Sequence, residues 1–426
     1  MKRYSILWLT VLLCWLSGAC KDFLNEYSQD LSYIETATDL EELLLGSGYQ
    51  DPAMSLIPGA EIASQGWNNT QMKDFMTYIH LMDDDLKEAP APKGKDSSKR
   101  PWQIMSGYYR WADDPNINML GTSFIDPVWE DFYKRIAVLN SIISEIPKQR
   151  AKNKVGEEDI LNQVGGETYF LRAWYYFMLN NIYGAPYDKA NPNAKWGVPL
   201  KLSEEVIDIY YSRNTVGEVY ETVVSDLKTA IGFFEKLSYS RKSKQVASAA
   251  ACYALLSRVY LYMGEWELAE KQCDEVLTQG IFRLEDYNGL AHAWCGLKST
   301  FDQLVQMGYT EAMALQYLQM AAGVVRTTSP ETIFAQGLNR LHTYVMVPNV
   351  SIGGAPGGGP RGIAMSYKVS DELRNSYEEG DRRARLYLPG DQLAMFWISS
   401  KYGDFYEQVG MNNDVTADVG TMRLSE

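Results

Sequence analysis

Histidine is scarce in this 426-residue chain, and the shortage limits the catalytic chemistry that it can encode. The 3 histidines, His80, His292 and His342, lie far apart, and none belongs to an HExxH zinc motif or a recognisable Ser-His-Asp signature. Glycoside hydrolysis needs only two carboxylates, but no pair stands out among the 54 acidic residues. No catalytic signature is therefore recognisable in the sequence, and a secreted hydrolase stays open as an alternative.

Cysteines are few, and no two of them have the CxxC spacing of zinc or redox sites. A disulfide framework is not indicated either. Cys252 and Cys273 fall in amphipathic stretches, which favours buried thiols at both positions. The acidic run Asp83-Asp84-Asp85 lacks the spaced oxygens and the glycine of a calcium loop. We therefore expect no metal and no cofactor.

Positive charge is in deficit, since the formal net charge is -14 and the isoelectric point is near 4.9. Such a chain repels phosphate backbones, which argues against nucleic acid as a partner and favours a neutral or basic ligand. Hydrophobic residues make up 46% and charged residues 22% of the chain, as in ordinary globular proteins. Aromatic residues are abundant at 12%, enough to fill a core and also to offer stacking surfaces to a ligand.

Long hydrophobic runs are also missing, and the longest one lies at the N-terminus. Lys2 and Arg3 precede an apolar run over residues 6–16, which is shorter than the roughly 20 residues of a membrane-spanning helix. Small residues then lead to Cys20, and residues 16–20 resemble a bacterial lipobox, although Ser17 stands where an aliphatic residue is preferred. We expect residues 1–19 to be a signal peptide and Cys20 to carry lipid that anchors the protein on a membrane. Lys21, Asp22 and Glu26 resemble the charged signal that sends such lipoproteins to the cell surface, so we expect an anchor on the outer membrane that faces the exterior.

Apolar residues recur at helical spacing through much of the chain, and this periodicity predicts a mainly α fold. Pro147 is expected to end one helix, Thr215 to cap another, and Gly264 alone to separate two antiparallel helices. The predicted helices cover residues 38–44, 71–82, 129–146, 157–183, 215–234, 246–263, 265–279, 310–324 and 370–381.

The hairpin around Gly264 has the most specific pattern in the interior of the chain. Its spacing of aromatic and small residues resembles the tetratricopeptide repeat. The residues that carry this pattern are Tyr260, Gly264, Trp266, Ala269, Cys273 and Val276. One such unit cannot bury its own apolar face, so neighbouring hairpins are required. The aromatic residues on these helices are assigned to the core: Trp174, Tyr175, Tyr260 and Trp266.

Several blocks occur in an order that resembles the SusD/RagB family of outer-membrane nutrient-binding lipoproteins of the Bacteroidetes type. The blocks are Leu171 to Phe177 (LRAWYYF), Tyr183-Gly184, Gly197 to Leu200 (GVPL), Thr215 to Tyr220 (TVGEVY), Asp226-Leu227 with Ala230, Ala249 to Trp266, Ile333-Phe334, Ser370 to Leu373 (SDEL) and Gly380-Asp381 with Arg383. The blocks run from residue 171 to residue 383, and their shared order is more specific than any one block.

The resemblance implies a tetratricopeptide-like superhelix of helical hairpins that supports a loop-rich ligand-binding lobe. Residues 20–280 are expected to hold the hairpins and a loop insertion, and residues 281–426 a loop-rich C-terminal region that is shorter than is usual in the family. Proteins of this type capture oligosaccharides for polysaccharide utilisation, without catalysis, and pass them to a SusC-like TonB-dependent outer-membrane transporter. Some branches take up peptides, so peptide capture stays as an alternative function, and a protein-interaction scaffold is another.

Recognition of a glycan needs flat aromatic rings and polar side chains on exposed loops. Two stretches of the sequence fit this requirement, one before residue 112 and one in the insertion after the repeat hairpin, where Tyr317 and His292 lie close to the candidates. The predicted ligand-binding residues are Trp67, Asn68, Arg100, Trp102, Tyr109, Trp111, Trp294 and Tyr309.

Overall fold

The structure is a computed structural model of the chain. It describes residues 34–50, 79, 82, 84, 86–88, 107–117, 128–152, 154–205, 207, 209–238, 243–284, 305–309, 330–335, 346–350, 362–365, 367–378, 390–391, 396–397 and 422–423. The predicted signal peptide, Cys20, and the predicted helices at 71–82 and 310–324 lie outside these residues, apart from residues 79 and 82.

Helices dominate the described residues, as the periodicity predicts. They are α1 (Ala37–Leu43), followed by a π-helical turn (Leu44–Gly48), α2 (Val128–Ala151), α3 (Glu158–Tyr183), α4 (Val216–Phe234), α5 (Ala249–Met263), α6 (Trp266–Thr278) and α7 (Asp371–Ser376). From α2 to α6, each helix packs against the next one, which gives the expected series of antiparallel hairpins. No helix in the described part of the chain is both long and apolar enough to cross a bilayer.

Short antiparallel strand pairs accompany the helices. The strands are β1 (Leu86–Glu88), β2 (Thr332–Phe334), β3 (Met346–Val350), β4 (Gly362–Met365), β5 (Tyr367–Val369), β6 (Gly390–Asp391), β7 (Phe396–Trp397) and β8 (Met422–Arg423). They pair as β1 with β5, β2 with β8, β3 with β4, and β6 with β7. Strand β2 is buried, and its Phe334 ring meets the ring of Phe170 on α3 edge to face, with 5.0 Å between the ring centres.

The first helix begins at a capping box that lies slightly upstream of the predicted cap. The Thr36 hydroxyl accepts a hydrogen bond from the Asp39 backbone N–H at 3.1 Å, and the Asp39 carboxylate accepts one from the Thr36 N–H at 3.0 Å. Because these two bonds satisfy backbone donors at the helix start, α1 begins after Thr36 and not at Thr38.

Helix α2 runs past Pro147, and the prediction that this proline ends it is wrong. Proline removes one backbone donor and disfavours the helix interior. The last turn survives because tertiary contacts fix it. The side-chain amide of Gln149 donates to the Ile34 carbonyl at 3.2 Å, and the Arg150 guanidinium donates to Asn162 of α3 at 2.8 Å.

The α4 stripe is confirmed residue by residue. Thr215 caps the helix, accepting from the Glu218 N–H at 3.2 Å while Glu218 accepts from the Thr215 N–H at 2.8 Å. The apolar side chains at every third or fourth position all lie in the core against α3: Val219, Val223, Leu227, Ile231 and Phe234. The stripe is typical of an amphipathic helix on a globular frame.

The hairpin of α5 and α6 turns on Gly264, which has φ +72°. A left-handed residue lets the chain reverse at a single position, and glycine adopts it without steric cost. Two assignments on this hairpin are wrong. Cys273 is exposed, with its sulfur 3.0 Å from the Ser257 hydroxyl, whereas Cys252 is buried as predicted. The Trp266 ring is 61% exposed, since the buried stripe of α6 begins only at Ala269.

The described residues between Gly184 and Thr215 form the connector between α3 and α4. A bridge between Trp196 and Thr215 closes its base. Inside the base, the Asn214 N–H donates to the Val198 carbonyl at 3.2 Å, and the Tyr133 hydroxyl of α2 donates to the Pro199 carbonyl at 2.7 Å. The connector therefore lies against the helices although it has no regular structure of its own.

A buried ion pair joins the central helices. Arg172 of α3 donates two hydrogen bonds to the Asp226 carboxylate of α4, at 2.7 and 2.8 Å, and a third to the side-chain oxygen of Asn140 on α2 at 2.9 Å. The Asn140 amide in turn donates to the carbonyls of Lys201 and Ser203 in the connector. Burial raises the pKa of Asp226, and the paired guanidinium opposes that rise. One arginine thus links three helices and the connector.

We expect Arg172→Met to lower the free energy of unfolding by about 3–5 kcal/mol, because it leaves the Asp226 carboxylate buried without its partner. Urea unfolding followed by circular dichroism measures the loss, and an Arg172→Met, Asp226→Leu double variant should recover part of it. Lys134→Met is the control, since it breaks an exposed pair with Glu130 and should leave the midpoint unchanged. A wild-type midpoint for Arg172→Met would contradict the prediction.

A second buried polar group holds the N-terminal segment on the helices. The Tyr49 hydroxyl donates to the Glu167 carboxyl at 2.7 Å and accepts from the Ala247 N–H at 2.9 Å. The Gln163 amide also donates to Glu167. Burial raises the pKa of Glu167 from 4.5 to about 7, although both hydrogen bonds oppose the rise.

The raised pKa makes stability depend on pH in a defined direction. The stabilisation from protonated Glu167 is fully present below its unfolded pKa of 4.5 and is lost as the pH rises through about 7. Between pH 4.5 and pH 8, we expect the wild type to lose about 3 kcal/mol of unfolding free energy relative to Glu167→Gln, which has no carboxyl group to ionise. Urea titrations at stepped pH measure it, and a difference that does not change with pH would refute the assignment.

Candidate ligand-binding site

A short, closed turn at residues 107–117 carries two of the candidate aromatic residues, Tyr109 and Trp111. The Ala112 N–H donates to the Gly107 carbonyl at 2.9 Å, and the Trp111 N–H donates to the Tyr108 carbonyl at 3.0 Å. The Tyr108 side chain is buried, and its hydroxyl donates to the Asn116 side-chain oxygen at 2.7 Å. The two ends of the turn are therefore tied together by backbone and side-chain bonds.

Glycine is required at position 107 because the backbone of Pro115 passes directly above it. A Cβ atom at this position would lie 2.5 Å from the Pro115 carbonyl oxygen and 2.8 Å from its Cα. Because the neighbouring atoms belong to backbone, they cannot move aside as a flexible side chain would. The close approach keeps the turn compact.

Trp111 lies at the outer end of this turn in an unusual state. Its backbone has φ +52°, the one positive φ of a non-glycine residue in the described part of the chain, and its side chain is 69% exposed. A left-handed conformation costs a residue with a Cβ roughly 1–2 kcal/mol. Exposure of a large ring costs further free energy. The turn therefore holds the Trp111 ring towards solvent, although both the backbone conformation and the exposure of the ring are unfavourable.

A cavity of about 760 Å³ lies between this turn and the helical frame. Its wall comes from the turn, from the last turns of α3 and from the end of α5. The described lining residues are Ile79, Met82, Tyr108, Trp111, Ala112, Pro115, Asn116, Trp174, Phe177, Met178, Asn181, Ile182, Tyr183, Arg258 and Tyr262. The lining is rich in aromatic and aliphatic side chains, with few polar groups, as in many small-molecule sites.

Packing beneath the cavity fixes the rings of the helical wall. Phe177 of α3 meets Tyr262 of α5 edge to face at 5.3 Å, and Trp174 is buried one helical turn earlier on α3. The Asn181 amide donates to the Phe177 carbonyl at 2.7 Å, and its oxygen accepts from the Tyr220 hydroxyl at 3.2 Å. Because both ends of the Asn181 side chain are engaged, this residue contributes to the frame.

The predicted site residues have different positions. Trp111 lies in the cavity wall. Tyr109 is half-buried and packs against the hydrophobic core, while Tyr309 is 37% exposed and is not among the described lining residues. The other candidates lie outside the described residues: Trp67, Asn68, Arg100, Trp102 and Trp294, together with the lipidation candidate Cys20. Their roles stay predictions.

Arg258 and Tyr262 of α5 are among the wall residues that sequence reasoning missed. They lie four positions apart on α5, one helical turn, and off the apolar stripe that faces α4. The signal that could have identified them is a charged and an aromatic residue one helical turn apart, outside the apolar stripe. In the described part of the chain, no group of three or more His, Cys, Asp or Glu side chains is placed to hold a metal ion.

The described architecture is that of a helical-repeat protein whose loops form a cavity beside the hairpins. Residues 89–261 match the family model SusD-like_3, described as starch-binding and associating with the outer membrane. A curated relative, the SusD-like protein P2 of Formosa agariphila, is 27% identical over 191 residues, which cover 43% of this chain. The aligned region spans about a third, 34%, of that relative's length.

Solved structures support the same fold at low sequence identity. A SusD superfamily protein from Bacteroides thetaiotaomicron is 20% identical with a TM-score of 0.56, covering 92% of this chain and 74% of its own. A laminarin-binding SusD-like protein is 19% identical with a TM-score of 0.55, covering 91% of this chain and 78% of its own. The family model and the curated relative confirm the predicted resemblance to the SusD/RagB family. The solved structures confirm the predicted mainly α, helical-hairpin fold.

Backbone strain at position 111 has a measurable consequence. We expect Trp111→Gly to be more stable than Trp111→Ala by about 1 kcal/mol, because glycine adopts the left-handed conformation without a Cβ penalty. Urea unfolding of both variants measures the difference. At Trp266, an exposed tryptophan on a helix, the order should reverse, with glycine less stable than alanine. The same order at both positions would contradict the assigned strain.

Proposed function

We propose that this protein is a non-catalytic, surface glycan-binding protein that captures oligosaccharides. The observation that carries the proposal is the exposed ring of Trp111, held by a strained turn at the wall of an aromatic-lined cavity. An exposed ring of this kind adds nothing to the packing of the protein core. It can bind a sugar, because the C–H faces of a sugar pack against the flat face of an indole.

The surroundings of Trp111 suit a bound oligosaccharide. The cavity volume of about 760 Å³ falls in the range of sites that enclose small molecules. Its helical wall offers a second partly exposed ring, Tyr262. The turn is fixed by Gly107 and Asn116, so little conformational freedom is lost when a ligand packs against it.

The comparisons support the same function. The matched family model is described as starch-binding, and one structural neighbour is a laminarin-binding protein. In this proposal the N-terminal residues 1–19 are removed, Cys20 carries the lipid that holds the protein on the outer membrane, and bound glycan passes to a TonB-dependent transporter. Residues 20–280 supply the hairpin frame and the turn of Trp111, and residues 281–426 supply further loops.

Native gels cast with a panel of polysaccharides test glycan capture. We expect at least one polysaccharide to retard the purified protein and Trp111→Ala to lose most of that retardation, because removal of a stacking ring typically weakens binding by about tenfold or more. Trp266→Ala is the matched control, since it removes an exposed tryptophan that is not among the described lining residues.

If Trp111→Ala were retarded as strongly as the wild type, the Trp111 ring would not be part of the ligand-binding site. Absence of retardation by every polysaccharide would refute glycan capture, and binding of a peptide library in the same format would then favour the alternative function. Release of reducing ends from a polysaccharide by the purified protein would show that it is a hydrolase.

A further inference from the structure

The helical wall of the cavity carries an exposed aromatic ring of its own. Tyr262, near the end of α5, lines the cavity, and 53% of the residue is exposed. A single exposed tyrosine is ordinary on a protein surface. This one borders the same cavity as the exposed ring of Trp111, so two aromatic surfaces from distant parts of the chain meet one space.

The contacts of Tyr262 hold its ring in place without covering it. The ring meets Phe177 of α3 edge to face, with 5.3 Å between the ring centres. In the part of the chain that the structure describes, the Tyr262 hydroxyl makes no hydrogen bond. A tyrosine hydroxyl can both donate and accept, as sugar hydroxyls require. Ring surface and hydroxyl are therefore both available to a ligand.

The end of α5 is fixed to the connector before α4. The Lys189 ammonium donates to the Gly264 carbonyl at 2.8 Å and pairs with the Glu265 carboxylate at 3.0 Å. The Gly264 N–H donates in turn to the Leu261 carbonyl at 3.1 Å. Tyr262 thus lies on a fixed last turn, just as Trp111 lies on a constrained loop. Surfaces that are held in advance lose little freedom when a ligand binds.

The size of the cavity favours a ligand that is longer than one sugar. Its volume of about 760 Å³ lies in the upper half of the range of roughly 300–1,000 Å³ for sites that enclose drug-sized molecules. A single sugar ring is smaller than such molecules. Among the described ring pairs, Trp111 and Tyr262 make no contact with each other, so there is space between them for a ligand.

We infer that the cavity recognises a segment of a glycan chain, with one sugar stacked on Trp111 and another on Tyr262, and not a single sugar. This inference rests on the proposed glycan capture and names chain length as the property that the site selects. Because the two sugars are covalently joined, binding of the first holds the second close to its own ring, and affinity rises with chain length.

A size series of oligosaccharides tests the inference on the purified protein. Partial acid hydrolysis of the polysaccharide that retards the protein most strongly in native gels yields oligosaccharides from the monosaccharide upward. Isothermal titration calorimetry measures the affinity of each size. We expect oligosaccharides that reach both rings to bind at least about tenfold more tightly than the monosaccharide.

Variants assign the gain in affinity with length to the ring of Tyr262. Tyr262→Ala should abolish that gain, and Tyr262→Phe should keep most of it because the stacking surface is retained. Leu261→Ala is the matched control, since it removes an exposed side chain on the same turn that is not among the described lining residues. Thermal unfolding of each variant by circular dichroism checks that the fold is intact.

The outcomes separate this inference from the proposed function. Equal affinity for the monosaccharide and the longer oligosaccharides overturns the inference, and so does a gain with length that survives in Tyr262→Ala. In both cases Trp111-dependent glycan capture stands. If Tyr262→Ala weakens the monosaccharide as much as the oligosaccharides, the two rings hold one sugar, and the inferred recognition of a chain segment is wrong. Failure of all polysaccharides to bind overturns both.

Discussion

The bidentate pair between Arg172 and Asp226 is the interaction on which the rest of the described structure depends. Two charges have been removed from water at the centre of three helices, and that desolvation is costly unless every donor and acceptor finds a partner. Here the carboxylate accepts two bonds and the guanidinium reaches Asn140 as well. These bonds are directional and so define one relative placement of the helices, which apolar contacts alone define less sharply.

The position of the cavity follows from that placement. Trp174 and Phe177 lie on α3 directly after Arg172, so the residue that fixes the helix lies within two turns of those that form the cavity wall. Arg258 approaches from α5, whose place is set through α4. The turn of Trp111 closes the remaining side. Rigid helices thus hold one half of the candidate site, and a constrained loop holds the other half.

Much of this frame could be predicted from the sequence, because helix caps and apolar stripes are local properties. Thr215 and the α4 stripe are examples. Predictions failed where the packing of the helices decided the outcome. Helix α2 continues through Pro147 because of bonds from Gln149 and Arg150. Trp266 is exposed because the hairpin turns at Gly264, two residues earlier, and the buried stripe of α6 begins only at Ala269. At the site, Trp111 was predicted from aromatic residues in irregular sequence. The sequence alone does not reveal its backbone strain. Nor does it reveal that α5 and a turn about 150 residues earlier line the same cavity.

The two connectors between the helices differ in how much added sequence they can absorb. Only Gly264, in the left-handed conformation, and Glu265 lie between α5 and α6, so an insertion there would shift both helices. The connector before α4 is instead closed at its base by Trp196 and Thr215, and its tip carries Tyr210 fully exposed to solvent. A short epitope placed at that tip would leave the helical frame undisturbed. Antibody access to it on intact cells would then test the proposed exposure of the protein on the cell surface.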